Sequence, residues 1–226
     1  MTLLRTVDEL LRGTHTRPES LQKGEIEVDA SRLLTAVVVL GMAYGVFMGL
    51  YAVLRGGDGA LRQIGAATLK VPLLFVLTLV VTFPSLYVFS ALSQSRLTYQ
   101  TTLRLLLATI AVSMTLLASF GPVTGFFTLS TESYPFMVVL NVAFFAVAGI
   151  VGLTFLRKAL ASVFDTRGSA GLNVFRIWIV IYAVVGAQMG WILRPFIGDP
   201  NRPFQLFRER HGNFFVAVWD AFWNLF

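Results

Sequence analysis

Residues 33–54 read LLTAVVVLGMAYGVFMGLYAVL, a run without one charged side chain. A bilayer core of roughly 30 Å takes about 20 apolar residues of α-helix to cross, so this run is long enough to span. Working outward, four more stretches pass the same test: 71–92, 103–120, 134–156 and 174–193. Arg104 and Arg176 stand near the starting ends of two of them, where a long side chain snorkels to the headgroups. Membrane strands are about ten residues long and alternate in polarity, and none of these runs does so. Composition points the same way. Of the 226 residues, 56% are hydrophobic and 13% charged, and mean hydropathy is +0.73, whereas a soluble domain carries roughly 25% charged residues. The sequence therefore predicts an all-α integral membrane protein. A five-helix transmembrane bundle occupies 33–193, between a polar segment (1–32) and an aromatic, arginine-bearing tail (194–226).

The segment 1–32 is too polar for a cleaved secretory signal, which needs an early apolar core, so the first span reads as a retained signal anchor. Leu3, Leu4, Val7, Leu10 and Leu11 fit one face of a short amphipathic helix closed by Gly13 and Pro18. Asp29 and Ser31 precede the first span, where its free N–H groups need acceptors. Basic flanks set the orientation. With the N-terminus cytoplasmic, that side holds Lys23, Arg32, Arg96, Arg104, Arg157, Lys158, Arg167 and Arg176. The far side holds Arg55, Arg62, Lys70, Arg194, Arg202, Arg208 and Arg210. The segment 121–133 carries Glu132 and no basic residue, as a translocated loop does. The balance favours a cytoplasmic N-terminus and a C-terminus on the far side.

The net charge of +6 is spread over both sides of the membrane. No soluble segment interleaves a Lys/Arg block with aromatics, as a nucleic-acid surface requires, so no nucleic-acid partner is expected. There is no cysteine, and His15 and His211 lie far apart. Thiol catalysis, thiolate zinc and iron–sulfur sites are excluded, and no metal site or cofactor is expected. Arg208, Glu209, Arg210 and His211 form the only local titratable mixture. A general base needs an orienting partner and a nucleophile, and neither is evident, so the chain does not read as an enzyme.

Within the spans, Gly41, Gly45 and Gly49 recur every fourth residue, and Gly186 and Gly190 repeat the spacing. Such grooves let another backbone approach closely, whether from the same chain or from a partner helix. Pro84 falls inside the second span, where it removes one helical hydrogen bond and predicts a kink. The span interiors as drawn hold no Asp, Glu, Lys, Arg or His; Asn141 and Gln188 are the strongest polar groups, placed to bond each other or nearby carbonyls. In the tail, Phe215, Val218, Trp219, Phe222, Trp223 and Phe226 share one face of a helix too short to span. Aromatic residues on one face suit a helix lying in the membrane interface, with Arg194, Arg208 and Arg210 available to headgroups.

The five-span layout, together with Leu69-Lys70-Val71-Pro72-Leu73-Leu74 leading into Phe83-Pro84-Ser85-Leu86-Tyr87, resembles the Yip (Rab-interacting) membrane family and its bacterial Yip-like branch. The resemblance covers about 33–193. It implies a helical bundle with a cytoplasmic N-terminus, acting as an adaptor rather than a catalyst. The long aromatic tail departs from the eukaryotic members, so no functional residue carries over. The expected function is a non-enzymatic membrane scaffold or accessory subunit in a bacterial cytoplasmic membrane. It would contact lipid and bind other membrane proteins or itself. The alternative is an oligomeric channel or carrier for a small or lipid-like solute, lined by Pro84, Asn141 and Gln188.

Overall fold

The computed structural model describes residues 5, 8, 9, 12, 28–56, 59–92, 98–164, 169–200, 202–208 and 212–223, without the side chains of 89–92, 161–164 and 169–175. The face expected from Leu3, Leu4, Val7, Leu10 and Leu11 lies outside the described residues, as do Arg210, His211 and Phe226. Among the described residues from 28 onward the helices are α1 (Ala30–Leu54), α2 (Ala60–Leu92), α3 (Tyr99–Ser130), α4 (Tyr134–Phe164), α5 (Ser169–Leu193) and α6 (Phe214–Trp223). The first five are long and apolar enough to cross a membrane. The chain is a multi-pass, all-α membrane bundle.

Local chemistry explains where these helices start. The Thr98 hydroxyl accepts from Thr101 N–H at 3.2 Å, Ser133 from Phe136 at 3.3 Å, and the Asn213 side chain from Val216 at 3.1 Å. Each bond satisfies a donor that has no partner in a first helical turn. The Asp29 carbonyl accepts the first bonds of α1, from Arg32 and Leu33.

All five long helices extend beyond the runs that hydropathy marks, α2, α3 and α4 the furthest, α4 ending at Phe164 rather than at 156. Helix α2 begins at Ala60 rather than at 71, and α3 runs on to Ser130. Most of 121–133, expected as a translocated loop, is therefore helical, with Pro122 inside α3. The expectation of span interiors without titratable residues is also corrected: Lys70 lies inside the second spanning helix and is 3% exposed. A hydropathy window ends a span at the first charge, but here distant backbone carbonyls satisfy the ammonium.

The chain divides into two compact units, and the five long helices contribute segments to both. The first unit comprises Met1–Val37, Leu77–Thr115 and Ala148–Val185. Its largest fully buried side chain is Trp178, whose indole N–H donates to the Ser85 hydroxyl at 3.1 Å and the Thr82 carbonyl at 3.4 Å. Helix α2 continues through Pro84, whose ring withholds a donor from the Val80 carbonyl. Around it, the Thr82 hydroxyl donates to Thr78 O and the Ser85 hydroxyl to Thr82 O, both at 2.7 Å. Gly152 meets Ser113 and the Thr109 carbonyl so closely that a side chain there would collide with α3.

The second unit comprises Val38–Val76, Leu116–Val147 and Gly186–Phe226. Gly45 and Gly49 let α1 and α2 approach backbone to backbone. A Cβ on Gly45 would stand 2.6 Å from the Ala67 carbonyl oxygen and the Thr68 Cα, and one on Gly49 2.6 Å from the Ile64 Cα. These two glycines face α2 of the same chain. Beneath this contact the Tyr44 hydroxyl donates to Asn141 Oδ1 at 2.6 Å, and Asn141 Nδ2 donates to Met137 O at 2.8 Å. The Asn141 amide is thus matched to Tyr44, not to Gln188. Phe145 stacks on Phe75 and takes the edge of Tyr44, at centroid distances of 5.9 and 5.7 Å.

Candidate functional site

The chemistry of the second unit gathers where the tail folds back after α5. Pro195, Gly198, Pro200 and Pro203 prevent the helix from continuing, and the Arg194–Pro195 peptide is cis. From there residues 194–200 and 202–208 form a strap over α1 and α2. Gly198 is wedged between them: a Cβ would lie 2.5 Å from Ala52 Cβ and 2.9 Å from Gln63 Cγ. At the other crossing Gly59, with φ of +72°, leaves room for Phe204, whose Cβ would lie 2.6 Å from an added methyl. Here both the left-handed backbone and the close approach require glycine.

Two polar side chains of α2 hold the strap. Gln63 Nε2 donates to Phe196 O at 2.9 Å and Pro195 O at 3.3 Å. Lys70 Nζ donates to Pro195 O at 3.1 Å and to Leu206 O, and sits 5.0 Å from the Phe207 ring centroid. The strap closes on itself through Arg208 N–H, which donates to Arg194 O at 3.3 Å. Carbonyl dipoles and a ring face are thus the immediate surroundings of the buried ammonium, an arrangement that tolerates a cation at membrane depth.

The strap concentrates positive charge. The Asp199 carboxylate lies 3.4 Å from Arg202 and 3.9 Å from Arg208. The Arg194 guanidinium carbon is 3.3 Å from the Trp191 ring centroid, and burial, then the neighbouring Arg208, push its pKa below the usual arginine value. Gln63, Asp199, Arg202, Gln205 and Arg208 line a small recess rimmed by Pro203 and Phe204. A second clasp lies in the same unit, where the Tyr51 hydroxyl donates to Glu132 O at 2.7 Å. There Arg55 donates to Thr131 O at 2.6 Å and pairs with the Glu132 carboxylate at 3.1 Å.

The expected site residues fall into separate places. Arg194 and Arg208 come together in the strap, while Arg210 lies outside the described residues. Gly41 is buried, Gly190 makes an ordinary 3.5 Å contact with Leu74, and Gly186 is half-buried. Phe215, Trp219, Phe222 and Trp223 are all exposed on α6, which buries no residue. Lys70, Gln63, Asp199 and Arg202 were missed as site residues. A signal for two of them was present: Gln63, Ala66, Ala67 and Lys70 recur at i, i+3, i+4 and i+7, and all four are buried. Among the described residues no three His, Asp or Glu side chains gather as metal ligands.

Comparison with protein-family models, curated proteins and solved structures finds no match for this chain.

Proposed function

We propose that the chain is a non-enzymatic scaffold or accessory subunit of a bacterial cytoplasmic membrane, with its N-terminus cytoplasmic and its C-terminus on the far side. The reading rests on α6. None of its ten residues, FFVAVWDAFW, is fully buried, and Phe215, Trp219, Phe222 and Trp223 are exposed. An aromatic face exposed to this extent on a membrane protein is a surface to lay on lipid or on another membrane protein. The adaptor role implied by the Yip-like resemblance is consistent with this reading.

Gly45 and Gly49 no longer contribute to partner capture, because α2 fills their groove. A conducting role for Asn141 is also disfavoured: the residue is 2% exposed, and its amide is committed to Tyr44 and Met137.

The test is purification in mild detergent from native membranes, with the full chain and with residues 214–226 deleted, followed by mass analysis of the intact complex. A stoichiometric membrane protein that departs with α6 is the expected result. A homo-oligomer unaffected by the deletion would refute the scaffold reading and turn attention to flux assays.

A further inference from the structure

We infer that two copies of the chain pair through α5, the Gln188 amide of each copy hydrogen-bonding the other across a two-fold axis. This pairing is separate from the partner proposed for α6. Helix α5 is the least covered of the spanning helices: 11% of its apolar window is buried, against 61% for α3. On this one uninterrupted helix, Ile177, Ile181, Val184 and Gln188 follow at intervals of four, three and four residues. That alternation is the seam by which two helices wind around each other. Ile177, Ile181 and Val184 are 61%, 37% and 43% exposed, so the chain's own helices do not cover the seam.

Lipid serves the three apolar side chains as well as a protein would. It does not serve Gln188. This residue is half-buried, its amide has no hydrogen-bond partner among the described residues, and neither amide atom is shut inside the protein. Exposed hydroxyls in other spans bond to their own helix: Thr35 donates to Ser31 O at 2.8 Å and Thr154 to Ile150 O at 2.7 Å. Gln188 stands five residues before the end of its span at Leu193, about 7.5 Å along the axis. Helical side chains lean toward the N-terminus, so its amide is directed away from that end and deeper into hydrocarbon, which offers it no partner.

A second copy supplies what is missing. A carboxamide carries both donor and acceptor, so it is complementary to itself. Copies of one chain enter the membrane in the same orientation, and a two-fold axis along the membrane normal sets each seam residue against its counterpart at equal depth. Gln188 then meets Gln188 without any search for register. A different protein would have to present a polar group at that same depth. One polar residue in an otherwise apolar seam also fixes register and the number of helices that join.

The chain has no cysteine, so single cysteines report on the seam directly. The full chain carrying Ile177→Cys, Ile181→Cys or Val184→Cys is oxidised in membranes with copper phenanthroline, beside Ala183→Cys and Ile150→Cys, exposed positions off the seam. Disulfide-linked dimers are expected at the three seam positions and not at the two others. Gln188→Leu, which keeps apolar packing, should weaken dimerisation about tenfold, read by energy transfer on dilution in detergent. Gln188→Asn, which keeps a carboxamide, should retain most of the affinity. Deleting residues 214–226 should leave the cross-linking unchanged, so loss of an α6 partner and loss of the dimer are read separately. Equal cross-linking on and off the seam, no linked dimer at any seam position, a different protein linked there in place of a second copy, or unaltered affinity in Gln188→Leu overturns the proposal.

Discussion

The strap and α6 belong to the same tail and are both rich in aromatic residues, yet they are held in opposite ways. The strap is pinned by Gln63, Lys70 and a wedged glycine, whereas α6, a few residues further on, has no fully buried residue. Apolar content does not separate them. What the strap has is a set of backbone carbonyls left free by proline and glycine, and two buried side chains on α2 that donate to them. A helix satisfies its own carbonyls and offers no such handle. Docking here is directed by polar contacts, and the aromatic side chains only fill the space those contacts define.

The strongest way to break the contrast is Lys70→Met. It removes the charged donor from the Pro195 and Leu206 carbonyls, and hydrogen bonds to charged groups contribute about 1.5–3 kcal/mol. The strap should become as loosely held as α6, seen as faster proteolysis within 194–208 and a lower melting temperature in detergent. Next comes Gly198→Val, whose added atoms collide with Ala52 and Gln63 and should cost about 1–3 kcal/mol, with the same proteolytic signature. Gln63→Leu removes a neutral donor worth about 1 kcal/mol, so the strap should loosen measurably while remaining attached. Trp219→Ala in α6 should change stability by less than about 0.5 kcal/mol, because the side chain is 62% exposed and its ring contact is with Trp223 of the same helix. If its melting temperature fell as far as that of the Lys70 variant, α6 would be a structural element and the contrast would fail.

Hydropathy made the five spans legible because membrane helices are apolar over their whole length, and that property is local. The Gly45 and Gly49 spacing was legible as a close contact for the same reason, while its partner, α2, was not. Lys70 marks the limit. Its acceptors lie 125 and 136 residues away in sequence, so a window centred on it registers a charge and ends the span. The strap was therefore read only as a run of helix breakers, with arginines free for headgroups. Asn141 is similar: its polarity was plain, but Tyr44, 97 residues distant, was hidden among aromatic residues with nothing local to single it out. In α3, Pro122 read as a loop residue, yet a membrane helix continues past proline when its surroundings take up the freed backbone groups.

The pairing of Lys70 with Pro195 also imposes an order on biosynthesis. When α2 emerges from the ribosome its ammonium has no acceptor, because residue 195 is translated 125 residues later. Insertion scales place a lysine at mid-membrane about 2.5–3.5 kcal/mol uphill, and near an interface the side chain escapes by reaching for water. Helix α2 is therefore expected to reach the membrane in a shallow, provisional position and to settle only after the tail has been made and has folded back. Nascent chains stalled short of residue 195 should keep Lys70 reactive toward a membrane-impermeant amine reagent, and chains extended past residue 208 should lose that reactivity. Equal labelling at both lengths would show that the helix needs no such late completion.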